Sequence, residues 1–281
     1  MANKLNIMVT AILLLLASVS CDVDPTGLLY STDPVNNRFS ESMEWNAAHM
    51  PFVLHCDADN YRLMFAADAH LGDTANLLTL LGIANDDLPL ALVFAGDMLS
   101  GKEADYDKFS SILQRVCMVP VFHSVGNHEL YFDGWMHFKK NFGTGVYTIR
   151  IETTESCDLI IVLDSGSGTL GNLQLDWLSN VLQQQRNQYR HCIVVHHVNF
   201  FRTRFSTSTS PLPVELYELM SLFTEYNVNM VVSGHNHKRM EDVLGNTVYL
   251  CPDAMADYNS KAAYLLVEMK DELGYSFIEL N

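Results

Sequence analysis

The sequence predicts an α/β domain with buried strands and a strand-rich tail, and three observations carry that expectation. Short apolar runs at 63–67, 91–95, 119–125, 159–163, 193–195 and 229–232 have strand length. Helix-like stretches at 74–83, 104–117, 173–189 and 214–226 separate them. At the end of the chain, 243–250, 263–269 and 274–280 read as consecutive strands with turns at Gly245-Asn246 and at 271–274. Of the 281 residues, 48% are apolar, so one sizeable core can be buried.

The chain begins with Lys4, an apolar run over 7–16, and the small residues Ala17, Ser18 and Ser20 ahead of Cys21. This is the layout of an export signal over residues 1–20. The run falls short of the ~20 apolar residues that span a bilayer, so no transmembrane helix is expected. Cys21 after small residues resembles a bacterial lipoprotein signal, although Ser18 stands where Leu is usual. That resemblance implies a membrane anchor by lipid at Cys21 and an exported protein, in the periplasm, outer membrane or at the cell surface. Residues 21–50 are polar and turn-rich, with Asp24-Pro25, Asp33-Pro34 and Asn36-Asn37, and read as a tether or N-terminal extension. Residues 51–281 read as one domain.

From Phe52 onward no linker or repeat interrupts the pattern. The helix-like stretch at 173–189 places Leu175, Leu178, Val181 and Leu182 on one face, the stripe expected of a helix lying on a sheet. The formal net charge of −16 excludes a nucleic-acid partner, because no Lys/Arg cluster is present to neutralise a phosphodiester backbone. Six cysteines carry neither a Cys-x-x-Cys pair nor a zinc-finger spacing, so no disulfide framework is expected.

The chemistry lies just beyond the apolar runs. Asp68-Ala69-His70 follows the first and Gly96-Asp97 the second. Gly126-Asn127-His128-Glu129 follows the third, His196-His197 a later one, and Gly234-His235-Asn236-His237 another. In open α/β sheets, ligands bind in the crevice outside the carboxyl ends of the strands. Each cluster alone is common, and a lone histidine is more often structural. Five in this order, each after a strand-like run, point to a shared site. Its donors are carboxylate, amide oxygen and imidazole, which suit Mn, Fe or Zn. Asp68/His70 and His235/His237 are two residues apart and so share one side of an extended segment.

This series resembles the calcineurin-like metallophosphoesterases over about residues 61–255. The resemblance implies a four-layer αββα sandwich of two mixed β-sheets and a phosphatase or phosphodiesterase that uses two divalent metal ions. It implies that Asp68, His70 and His237 hold one ion, that Asn127, His196 and His235 hold the other, and that Asp97 bridges them. His128 would be the catalytic group that protonates the leaving oxygen or stabilises transition-state charge. Glu129 would orient His128 from behind, and His197 would be a packing neighbour. The substrate would be a small-molecule phosphate ester.

Three departures narrow the reading. Val198 stands where the family often has Pro. Ser100 occupies the position of the tyrosine that colours purple acid phosphatases, which excludes a ferric-tyrosinate site. The residues after the last motif leave no room for the second domain of related nucleotidases. Arg202 and Arg204, in an aromatic-rich segment after the histidine pair, are candidates to pair with phosphate oxygens; the plainer reading is solvated surface arginines. The aromatics of 131–141 are either a pocket wall or helix packing.

Overall fold

The chain forms two β-sheets laid face to face, and the computed structural model describes residues 33–72, 74–199, 201 and 213–280. The first sheet has seven strands in the order β1-β5-β6-β7-β8-β10-β9. These are β1 (Phe52–His55), β5 (Tyr147–Glu152), β6 (Cys157–Val162), β7 (Cys192–Val198), β8 (Met230–Gly234), β9 (Met240–Leu244) and β10 (Thr247–Cys251). The second has five, in the order β12-β11-β2-β3-β4. These are β2 (Tyr61–Ala66), β3 (Ala91–Phe94), β4 (Val121–His123), β11 (Ala263–Met269) and β12 (Gly274–Glu279). Both sheets are mixed: β6, β7, β8 and β10 run parallel, as do β2, β3 and β4, while β9, β11 and β12 enter antiparallel.

Alternation along the strands divides the core into three layers. Leu63, Phe65, Val93, Ile160, Val195 and Val232 meet between the sheets. On the outer face of the five-stranded sheet, Met64, Leu92 and Phe94 pack against helices α2 (Ala75–Asp87), α3 (Glu103–Val116) and α4 (Trp135–Phe142). On the outer face of the seven-stranded sheet, Leu159, Ile161 and Val194 pack against α1 (Val35–His49), α5 (Gly171–Gln185) and α6 (Pro213–Glu225). This is the αββα sandwich expected. No described helix is long and apolar enough to cross a membrane, and the five described cysteines are free thiols.

One expectation is corrected here. Residues 35–49, read as part of a tether, are helix α1 docked on the body. Phe39 and Met43 set the helix into the outer apolar layer, and polar contacts add to that hold. The Arg38 guanidinium, fully buried, grips the Asp164 carboxylate through Nε (2.7 Å) and Nη2 (3.1 Å) and also donates to Ser167 Oγ. Trp135 and Lys139 both donate to Glu41 from α4. Breaking a buried pair leaves one charge without its partner, a loss of about 3–5 kcal/mol. Arg38→Ala is therefore expected to destabilise the protein by that amount in urea unfolding followed by circular dichroism; a change below about 1 kcal/mol would show that α1 is only loosely docked. Residues 1–20, expected to be an export signal, and Cys21, Arg202 and Arg204 lie outside the described residues.

Candidate metal centre

The loops after β2, β3, β4, β7 and β8 converge at one end of the sandwich. Their ligand residues adopt an unusual backbone. Asp68, His70, Asp97, His235 and His237 all have positive φ, between 43° and 70°. Left-handed backbone costs a non-glycine residue about 1–2 kcal/mol, and Asp and His are among the types that tolerate it best. Here it bends each strand end sharply, so that the side chain turns back into the gap between the sheets.

The glycines of the motifs make room for this. Gly96 has φ +87°, and a Cβ there would lie 2.6 Å from His197 Nδ1. A Cβ on Gly126 would lie 2.2 Å from Asp97 Oδ1.

The side chains gather into two donor groups that share one carboxylate. Asp68, His70, Asp97 and His237 form the first, and Asp97, His197 and His235 the second; within each, one donor atom per residue lies within 4.8 Å of the others. His70 Nε2 and His237 Nε2 are 2.9 Å apart, and His237 Nε2 is 3.6 Å from Asp68 Oδ1. Asn127 Oδ1 lies 3.2 Å from His197 Nε2, while its amide nitrogen donates to the Tyr131 hydroxyl at 3.1 Å. Tyr131 thus turns the Asn127 oxygen toward the second group.

The histidine of β7 is the second correction. His197, not His196, enters the site. Ile193, Val195 and His197 alternate on the face turned to the other sheet; Cys192, Val194 and His196 face the outer helices. A bulge interrupts the β7–β8 register after Val195, and Ser165 Oγ accepts the amide hydrogens of both His197 and Val198 there. His197 Nδ1 donates to the Ala95 carbonyl at 2.9 Å, leaving Nε2 aimed at the donors. A backbone acceptor behind a ligating imidazole fixes its tautomer in this way. His196 is buried on the opposite face of the strand, lining a small cavity with Leu170, Glu215 and Leu219.

Glu129 is the third correction. It does not stand behind His128. Its buried carboxylate accepts three backbone N–H groups, from Asp97 (2.8 Å), Gly126 (2.7 Å) and Leu99 (2.9 Å). It therefore clamps the loop of the bridging Asp97 to the loop of Asn127. His128 lies beside Asp97: its amide donates to Asp97 Oδ1 at 2.8 Å, and its Nε2 is 3.9 Å from Asp97 Oδ2. Its ring packs between His70 and Tyr131.

The electrostatics centre on Asp97. Burial opposes its charge, but His197, His128 and His70 outweigh that and hold its carboxyl well below the usual range. Burial likewise opposes a charge on His197, yet the Asp97 carboxylate at 3.1 Å raises it to about 9. For His70, burial dominates and lowers it well below normal. Burial, then repulsion from Asp97, pushes Glu129 up to about 8. Ligation needs a neutral imidazole, so a cation binding at His197 displaces its proton. The convergent imidazole nitrogens (Nε2 of His70, His197 and His237, Nδ1 of His235) and the shared carboxylate form a donor set that fits two adjacent divalent ions.

A family profile described as calcineurin-like phosphoesterase matches residues 61–239, more than half of the chain. The chain belongs to the calcineurin-like phosphoesterases. It is, with its family, a metal-dependent phosphoric ester hydrolase. Two solved structures show the fold. A dimetal phosphatase from Danio rerio is 11% identical with a TM-score of 0.62, over 79% of this chain and 96% of that one. GAP50, the anchor in the inner membrane complex of Plasmodium, is 11% identical with a TM-score of 0.60, over 79% and 85%. No curated protein sequence matches the chain. As a calcineurin-like phosphoesterase it gathers carboxylate, amide and imidazole donors at one end of the sandwich.

Proposed function

We propose that this protein hydrolyses small phosphate esters at a two-ion centre held by Asp68, His70 and His237 on one side, Asn127, His197 and His235 on the other, and Asp97 between them. The observation that carries this is the pair of donor clusters sharing Asp97. When bound, a pair of divalent ions supplies charge neutralisation for the phosphoryl oxygens and a water acidic enough to act as nucleophile near neutral pH. The protein's own groups do the rest. Asp97 and Asp68 set the negative charge that retains the ions. Ala95 and Tyr131 aim His197 and Asn127. His128, beside Asp97 and not ligating, delivers a proton from Nε2 to the leaving oxygen.

We also propose that the enzyme works outside the cytoplasm, tethered by lipid at Cys21. The layout of residues 1–21 supports this reading, and α1 would begin 14 residues after that anchor.

Metal analysis of the purified protein, with p-nitrophenyl phosphate and its bis-ester as substrates, tests the catalytic reading. Two equivalents of Mn, Fe or Zn with turnover of one or both esters is the expected result. Absence of bound metal and of turnover with all three ions would overturn it and leave a binding role on this fold.

A further inference from the structure

The connection from β10 to β11 places one large aromatic at the rim of the metal centre. Residues 252–256 are buried. Met255 N donates to the Ala67 carbonyl at 3.0 Å and Ala254 N to the His237 carbonyl at 3.4 Å. Asn76 adds three more bonds, to the carbonyls of Met255 and Ala256 and from its own amide to Asp257. Asn259 closes the turn by donating to the carbonyls of Ala254 and Ala256. The segment is therefore stitched to the strand that ends in Asp68 and to the loop that carries His237.

Tyr258 sits at the tip of this braced turn, and it is 66% exposed. Its hydroxyl is 3.5 Å from His237 Nδ1. His237 Nε2 faces His70 and Asp68, so Tyr258 flanks the outer edge of that donor group. His128 and Tyr131 stand on another side of His70. A tyrosine has few torsions to freeze and offers a wide apolar face, which makes it an efficient contact at low entropic cost. The acidic chain gives no long-range attraction to an anionic ester, which raises the share of binding that apolar contact must supply.

Resting on the phosphoesterase reading, we propose that Tyr258 contacts the substrate directly and packs its ring on a planar aromatic leaving group, so that the site takes aryl-bearing phosphate esters in preference to small alkyl ones. Titration calorimetry of the full-length, Mn-loaded protein with phenylphosphonate and methylphosphonate tests this without requiring turnover. The wild type is expected to bind the phenyl compound about tenfold more tightly, as one aromatic pair provides. Tyr258→Ala should bring the ratio close to one while leaving ion content and methylphosphonate affinity unchanged. Tyr258→Phe, which keeps the ring, should keep the ratio. A ratio that survives Tyr258→Ala, equal weakening of both ligands, loss of an ion, or no phenyl preference in the wild type would each overturn the assignment. A phenyl preference that depends on Tyr258 in a protein without esterase turnover would instead remove the catalytic reading and leave the aromatic contact standing.

Discussion

Asp97→Asn is expected to abolish phosphoester turnover and to empty both ion sites. The substitution keeps the size of the side chain and a residue type tolerant of the φ of +52° found there. It also keeps an oxygen able to accept the His128 amide. What it removes is the single negative charge that both donor groups share. His197, His128 and His70 all lie within 4.0 Å of that carboxylate, so its loss removes the group that all three imidazoles face. Groups that merely support a metal ligand cost about 10–100-fold when mutated, and a shared ligand must exceed that. Turnover of p-nitrophenyl phosphate should fall by at least about 100-fold, as two such losses multiplied, with metal content by mass spectrometry well below one ion per chain. Retention of both ions would show that Asp97 is not the bridge.

The second large effect separates two adjacent histidines. His197→Ala should lower the ion content from two to one and reduce turnover by about 100-fold or more. His196→Leu should keep both ions and turnover, because that ring faces Leu170, Glu215 and Leu219 on the far side of the strand. Burial, helped by the neighbouring His197, pushes His196 down to about 3, so it is neutral at neutral pH and an apolar residue can fill its place. If His196→Leu strips an ion and His197→Ala does not, the strand register described above is wrong.

This pair shows where sequence reasoning stops. The order and spacing of the motifs pick out Asp68, His70, Asp97, Asn127, His235 and His237, which the fold brings together, because each follows an apolar run and carries a metal donor. They cannot choose between His196 and His197. The preceding Val194 and Val195 are equally apolar, so alternation has no marker for which face is inward. Only the β7 bulge pinned by Ser165 settles it. Glu129 has no sequence signature for bonding three backbone amides, since those partners come from two separate loops. Tyr131 was visible as an aromatic near the site, but its hold on Asn127 was not.

The fold divides in the same way. The apolar runs located the central strands, and Gly245-Asn246 marked the β9–β10 hairpin. Strand β1 is a four-residue edge with little burial, too short to stand out. Strand β5 alternates as Tyr-Thr-Ile-Arg-Ile-Glu, a period of two that the sequence does carry. Helix α1 was hidden for a different reason. Its attachment includes a buried ion pair with Asp164, 126 residues away, and hydrophobic periodicity carries no record of such a partner.

The left-handed ligands have a consequence for how this protein can change. Five neighbouring positions hold backbone conformations that most side chains resist, and the surrounding loops sustain them for the sake of geometry at the centre. Mutational drift is therefore lopsided. Replacing one of these residues by glycine would relax the chain locally while destroying a ligand, so gains in robustness and gains in chemistry pull in opposite directions at the same sites. A lineage freed from selection for activity should lose its ligands early and keep its sandwich, whose three apolar layers are built mainly from the strands and helices.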